Sequence, residues 1–159
     1  MAKINLASLP VKTGSIYPAP YDALVAGRSS LRLGDAGGLK QFGVNLVTLA
    51  PGAISSMRHW HLAEDEFVMV TEGQCTMVTN AGETEMGPGD CAAFPAGRPD
   101  GHHFINRTDR PARFLVVGSK APREVATYSD EDLMVTVEAG RATFTHKDGT
   151  PYIAPKGDQ

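Results

Sequence analysis

Along most of the chain, apolar residues alternate with polar ones in short runs and do not recur every three or four positions. Runs rich in Val, Phe, Thr and Met at 41–50, 66–71, 75–80, 91–94, 102–107, 113–118, 134–138 and 142–145 read as strands. The separators are turn chemistry: Pro51-Gly52, Glu72-Gly73, Asn80-Ala81-Gly82, Gly87-Pro88-Gly89, Pro95-Ala96-Gly97 and Thr108-Asp109-Arg110-Pro111. Many short strands at near-regular spacing predict an all-β, antiparallel sandwich or barrel. Residues 125–133, which include Ser129-Asp130-Glu131-Asp132, predict one short helical turn. The first 20 residues contain three prolines and predict an extended arm lying on the barrel, of a kind that often crosses to a partner subunit. The tail, 156–159, is expected to fray.

A chain of 159 residues fits one domain. We divide it into an arm and first strands (1–40), a barrel core (41–120) and C-terminal strands with a tail (121–159). At 42% hydrophobic and 21% charged residues, the chain has enough apolar material for a core without staples. No apolar run approaches the roughly 20 residues of a membrane helix. Residues 1–10 lack the long apolar stretch of a secretory signal, so the expected location is the cytoplasm. A net charge of −3 with no basic run argues against a nucleic-acid partner. Cys75 and Cys91 lie in separate strand runs and read as free buried thiols; two cysteines cannot make a tetrathiolate zinc site.

Four of the five histidines form two tight pairs. In His59-Trp60-His61 the two imidazoles share one face of a strand, about 6.6 Å apart at the backbone, and can converge on one ion. Glu66 follows at an odd offset, so residues 62–65 must turn or bulge, after which Glu66, Val68 and Val70 share the inner face and Phe67 and Met69 the outer. In the second pair, an inward His102 carries Phe104 and Asn106 inward and leaves His103 pointing out. A carboxylate buried among imidazoles costs several kcal/mol without a cation. Three histidines and a glutamate suit Mn, Fe, Co, Ni, Cu or Zn as a divalent ion.

These residues carry a family resemblance. Gly52, His59-Trp60-His61, Glu66 and Gly73 resemble the first motif of the cupin superfamily, and Gly89, Pro95-Ala96-Gly97, His102 and Asn106 the second, with residues 74–88 between them. Six residues, not five, separate Gly52 from His59, and four, not two, separate Gly97 from His102. An ungapped match puts Asp100 at the fourth ligand position; the spacing to Asn106 favours His102, with His103 as the alternative. Asp65-Glu66-Phe67, Phe94-Pro95-Ala96-Gly97 and Gly101-His102-His103 are similar to bacterial cupins labelled sugar-phosphate-isomerase-like. The resemblance implies a jelly-roll barrel (a double-stranded β-helix) that binds one divalent transition metal and pairs as a homodimer.

Further pocket candidates are Arg98, Phe104 and Asn106. Arg28, Arg58 and Arg98 have the fork geometry to anchor a phosphate or carboxylate. Arg58 and Trp60 should face away from the ligand side. Glu64 and Asp65 are alternative ligands or bases. His146, Lys147 and Tyr152 belong to a segment that either covers the barrel mouth or forms a surface loop. The expected function is a metal-dependent enzyme, isomerase or lyase or dioxygenase, acting on a small polar or anionic molecule inside the barrel. The competing class is a non-catalytic small-molecule binder or sensor.

Overall fold

A computed structural model describes residues 3–152. The tail expected to fray lies outside the described residues. Thirteen strands, all paired antiparallel, dominate among the described residues. One wall of the barrel has six strands in the order β1 (Lys12–Thr13), β2 (Arg28–Arg32), β3 (Phe42–Leu49), β10 (Ala112–Ser119), β5 (Glu66–Glu72) and β8 (Cys91–Phe94). The other wall is made of two smaller sheets. The first runs β13 (Arg141–Thr145), β12 (Met134–Glu138), β11 (Arg123–Tyr128), β4 (His59–His61); the second runs β7 (Gly82–Met86), β6 (Cys75–Thr79), β9 (His103–Ile105). Isolated bridges between His59 and His102 and between Ile54 and Ile105 stitch these two sheets together. No helix among the described residues is long and apolar enough to cross a membrane.

Alternation fills the interior. Val47, Leu49, Val68, Val70 and Phe114 point inward from three adjacent strands and are at most 2% exposed. Each contributes about 1.5–3 kcal/mol through burial. On the same wall Phe67 turns outward, as the alternation predicts. A second apolar cluster, Met57, Ala126, Tyr128, Leu133 and Val135, lies beneath β11 and β12.

Two expectations fail here. Residues 125–133 do not form a helical turn: up to Tyr128 they belong to β11, which bonds to β12 on one side and β4 on the other. A strand with two neighbours satisfies every backbone group laterally, which a one-turn helix cannot do. Cys91 is exposed, because it points outward from the edge strand β8; Cys75 is buried as expected.

The arm does lie on the barrel. It opens with a short 3-10 helix, Leu6–Ser8, and contributes β1, the edge strand beside β2. Tyr17 then packs edge-on against Tyr128 and Phe144, with ring centroids 5.5 and 6.0 Å away.

Candidate metal centre

The three-residue strand β4 aims His59 and His61 into the barrel and Trp60 to the other side. The turn that follows is pinned at several points. The Glu124 carboxylate accepts from the Leu62 and Ala63 amides at 2.7 and 2.8 Å. Asp65 accepts from the Ala96 amide at 2.8 Å, and its own amide donates to Ser119 Oγ at 2.9 Å. This turn resets the alternation, so that Glu66 begins β5 on the inner face.

His102 reaches the same point from another part of the chain, through its bridge with His59. Gly101 makes that approach possible: a Cβ there would collide with the Ser129 hydroxyl. The two residues inserted after Gly97 are absorbed in the loop before the bridge, where Asp100 accepts from the Asn80 amide at 2.8 Å.

The side chains converge. His59 Nε2 lies 3.2 Å from His61 Nε2, His102 Nε2 lies 3.1 Å from Glu66 Oε1, and His61 Nε2 lies 3.9 Å from Glu66 Oε2. His59 Nδ1 sits 2.9 Å from the Met57 carbonyl oxygen. A carbonyl only accepts, so Nδ1 carries the proton and the Nε2 lone pair faces the other ligands. His102 lies flat on Phe94 at 3.5 Å and 7°, and Phe94 leans edge-on against Phe104. Apolar packing thus fixes the ring plane from below.

Burial first, then the proximity of His61 and His102, pushes the His59 imidazole down to about 3. It is neutral and a competent donor. For Glu66, burial alone would raise the carboxyl, but the His102 hydrogen bond and the three imidazoles outweigh it and leave it below its ordinary value. Facing lone pairs and a buried carboxylate repel unless a proton or cation lies among them. The donor set therefore fits a divalent transition ion. His102 is 2% exposed while His61 and Glu66 keep 18% and 20%, so the cluster opens on their side.

A second group competes for His61: one ligand atom each of His61, Glu64 and Glu124 lie within 4.8 Å of one another. Glu124 is already bonded to two amides, and Glu64 accepts from the Ala121 amide at 2.8 Å. Burial, the largest influence, raises Glu64 above its ordinary value. We therefore assign this pair to the turn and to His61 orientation. Glu124 Oε1 stands 3.5 Å from His61 Nδ1, on the opposite edge of the ring from the cluster.

Other candidates are placed elsewhere. His103 points away, its Nδ1 3.0 Å from the Ser56 carbonyl. Phe104 lines the barrel cavity and is 2% exposed. Asn106 is inward and fully buried, but it serves the backbone: Nδ2 donates to Leu49 and Arg110 carbonyls, and Oδ1 accepts from the Thr108 amide and hydroxyl. As a pocket residue it is a correction; its polar atoms are consumed by the loop it braces. Arg98 shares a small recess of about 70 Å³ with Trp60 and Asp100 behind His61 and His102. Arg58 grips Asp130 with Nε and Nη2 at 2.9 and 2.6 Å, a structural pair. His146 pairs with Asp132 at 2.9 Å and stacks on Tyr152, outside the cavity.

The cluster forms one side of a cavity of about 350 Å³. Tyr17, Tyr128, Arg32 and Lys12, which nothing in the sequence pattern marks, also line it. Glu124, behind His61, was missed as well, although an acid beside the apolar pair Val125-Ala126 is a visible signal. Burial raises both phenols above their ordinary value, so each keeps its proton at neutral pH.

Residues 45–118 match the model of the Cupin domain. A crystal structure described as a sugar phosphate isomerase from a cupin superfamily, from Silicibacter pomeroyi, is 60% identical. It superposes with a TM-score of 0.93, covering 96% of this chain and 98% of that one. A putative sugar phosphate isomerase from Acidithiobacillus ferrooxidans is 26% identical with a TM-score of 0.72, covering 80% and 81%. The polyketide cyclase RemF from Streptomyces resistomycificus shares the fold at 22% identity and a TM-score of 0.59, covering 75% and 79%. No curated protein matches the chain at a significant level.

Proposed function

The chain belongs to the cupin superfamily, and from that premise we propose that it is a metal-dependent enzyme acting on a small polar or anionic molecule. His59, His61, Glu66 and His102 would hold one divalent transition-metal ion. The observation that carries this reading is the convergence of three imidazole nitrogens and the Glu66 carboxylate at 3.1–3.9 Å, with His59 held in the tautomer that ligation requires. The sugar phosphate isomerase descriptions of two similar structures favour isomerisation over lyase or dioxygenase chemistry.

When bound, such an ion polarises a carbonyl or hydroxyl oxygen as a Lewis acid. The protein's own residues do the rest. Met57 and Phe94 hold the His59 and His102 rings, Glu124 faces the outer edge of His61, and the protonated phenol of Tyr17, whose oxygen accepts from Tyr128, offers a donor to a substrate oxygen. The apolar floor of Phe104 and Phe114 keeps water from below.

A second reading, a binder without turnover, is favoured by one observation. Glu66 is engaged with His102, and the phenols hold their protons, so the cavity wall offers no free general base. Metal analysis combined with solvent deuterium exchange decides. Near-stoichiometric transition metal, with deuterium entering a sugar phosphate next to its carbonyl and exchange abolished by Glu66→Gln, is the expected result. Protein that binds metal and sugar phosphate without exchange favours the binder. Protein purified without metal, and unable to take it up, overturns the metal-dependent enzyme.

A further inference from the structure

The cavity wall also carries a second set of polar residues, on β1 and β2. Arg28, Ser30 and Arg32 alternate along β2, so they share one face, and Ser30 is buried. Lys12 stands directly across from Ser30 on β1, which places its side chain on that same face, between the two arginines. All three cations line the cavity. The carboxylate on the cavity wall is Glu66, and it is engaged by His102.

Arg28 is the informative member. Its Nε is buried and has no hydrogen-bond partner. Burial, the largest influence, pulls the guanidinium below its ordinary value; Tyr17 opposes this, the like charge of Arg32 adds to it, and Glu66 opposes it least. Arg32 shares an exposed ion pair with Asp35 at 3.6 Å, which screening makes weak. A buried donor without an acceptor is expensive, and a cationic pocket in a protein of net charge −3 concentrates anions where the rest of the surface does not.

We propose that Arg28, Arg32 and Lys12 form an anion-binding subsite that takes the phosphate or carboxylate end of the molecule whose other oxygens reach His59, His61, Glu66 and His102. Guanidinium forks match both anions bidentately. The cavity volume lies at the lower end of the range for small-molecule sites, so the ligand is a compact one, charged at one end and oxygenated at the other. The inference rests on the proposed use of this cavity but does not require bound metal.

The test is calorimetric titration of the full chain, stripped of metal, with inorganic phosphate and separately with malonate. Wild-type protein should bind at least one of them saturably in the millimolar range or below, and the preferred anion identifies a phosphoryl or a carboxylate end. Arg28→Met should weaken binding by about tenfold or more, the scale of a lost charge-assisted hydrogen bond, and Arg28→Lys should restore only part of it. If Arg28→Met does not fold, the double variant Lys12→Met/Arg32→Met, altered only at exposed side chains, carries the test. No saturable binding by the wild type, or unchanged affinity in the variants, overturns the subsite. Because metal is absent throughout, failure of the metal reading leaves this measurement standing, and failure here leaves the metal reading standing.

Discussion

His59 and His102 hydrogen-bond to each other through their backbones in both directions, His102 N–H to His59 O at 2.9 Å and His59 N–H to His102 O at 3.2 Å. Residues 43 positions apart in sequence are thereby fixed at a strand-pair separation. The bridge also joins the two sheets of one barrel wall. Convergence of the three histidines is therefore a property of that wall, and Glu66 meets them from the facing one.

That bridge gives His102 and His103 opposite fates. Substituting His102 by Ala should cut bound metal well below stoichiometric, whereas His103→Ala should leave metal content near the wild-type value. Elemental analysis of both variants checks this. Equal loss in the two would mean that the bridge does not set the fourth ligand.

Glu124 should matter without touching the ion. Glu124→Gln removes the charge facing His61 Nδ1 and sets an NH2 donor against one of the Leu62 and Ala63 amides in place of its acceptor. Loss of such an outer partner typically lowers metal affinity by about 10–100-fold. Competition with a chromophoric chelator reads the affinity directly, and far-UV circular dichroism shows whether the fold persists.

Acid should destabilise the metal-free protein through His59. Its imidazole titrates near 3 in the folded chain against the ordinary 6.5. Between those values the unfolded chain binds the extra proton, so stability rises with pH and falls as pH drops from 6.5 towards 3. Each unit is worth about 1.4 kcal/mol, so the loss reaches several kcal/mol across the window. Denaturant midpoints measured at several pH values should show this slope, and His59→Asn should flatten it.

Gly101→Ala should destabilise the fold by about 1–3 kcal/mol, because its methyl group meets Ser129 head-on. The double variant Gly101→Ala/Ser129→Gly clears the obstruction and should recover most of the loss in a thermal melt. A destabilisation that the second change fails to relieve would point to the backbone as its source.

Strand alternation was enough to read the inward pair His59 and His61, and an odd offset was enough to demand the turn before Glu66. The sequence was opaque wherever a strand lacks an apolar face. In β2, Arg28-Ser29-Ser30-Leu31-Arg32, the inward positions are polar because they line a polar cavity. In β7, Gly82–Met86, four of five residues are exposed, so no hydrophobic alternation exists to be seen. In β11, Glu124 is buried because amides of a distant turn surround it. Each signal depends on partners that only the folded chain supplies. Asn106 misled for the same reason: its direction was correctly inferred, but the carbonyls that consume its amide come from Leu49 and Arg110.

The arm places part of the cavity wall on the least anchored strand of the barrel. β1 pairs with β2 through only two residues, Lys12 with Ser30 and Thr13 with Ser29, yet Lys12 and Tyr17 both face the cavity. Under the proposed function, reactivity would then draw on the interior and selectivity in part on this edge. A change at Lys12 would then alter which molecules are admitted while the imidazole cluster stays as it is.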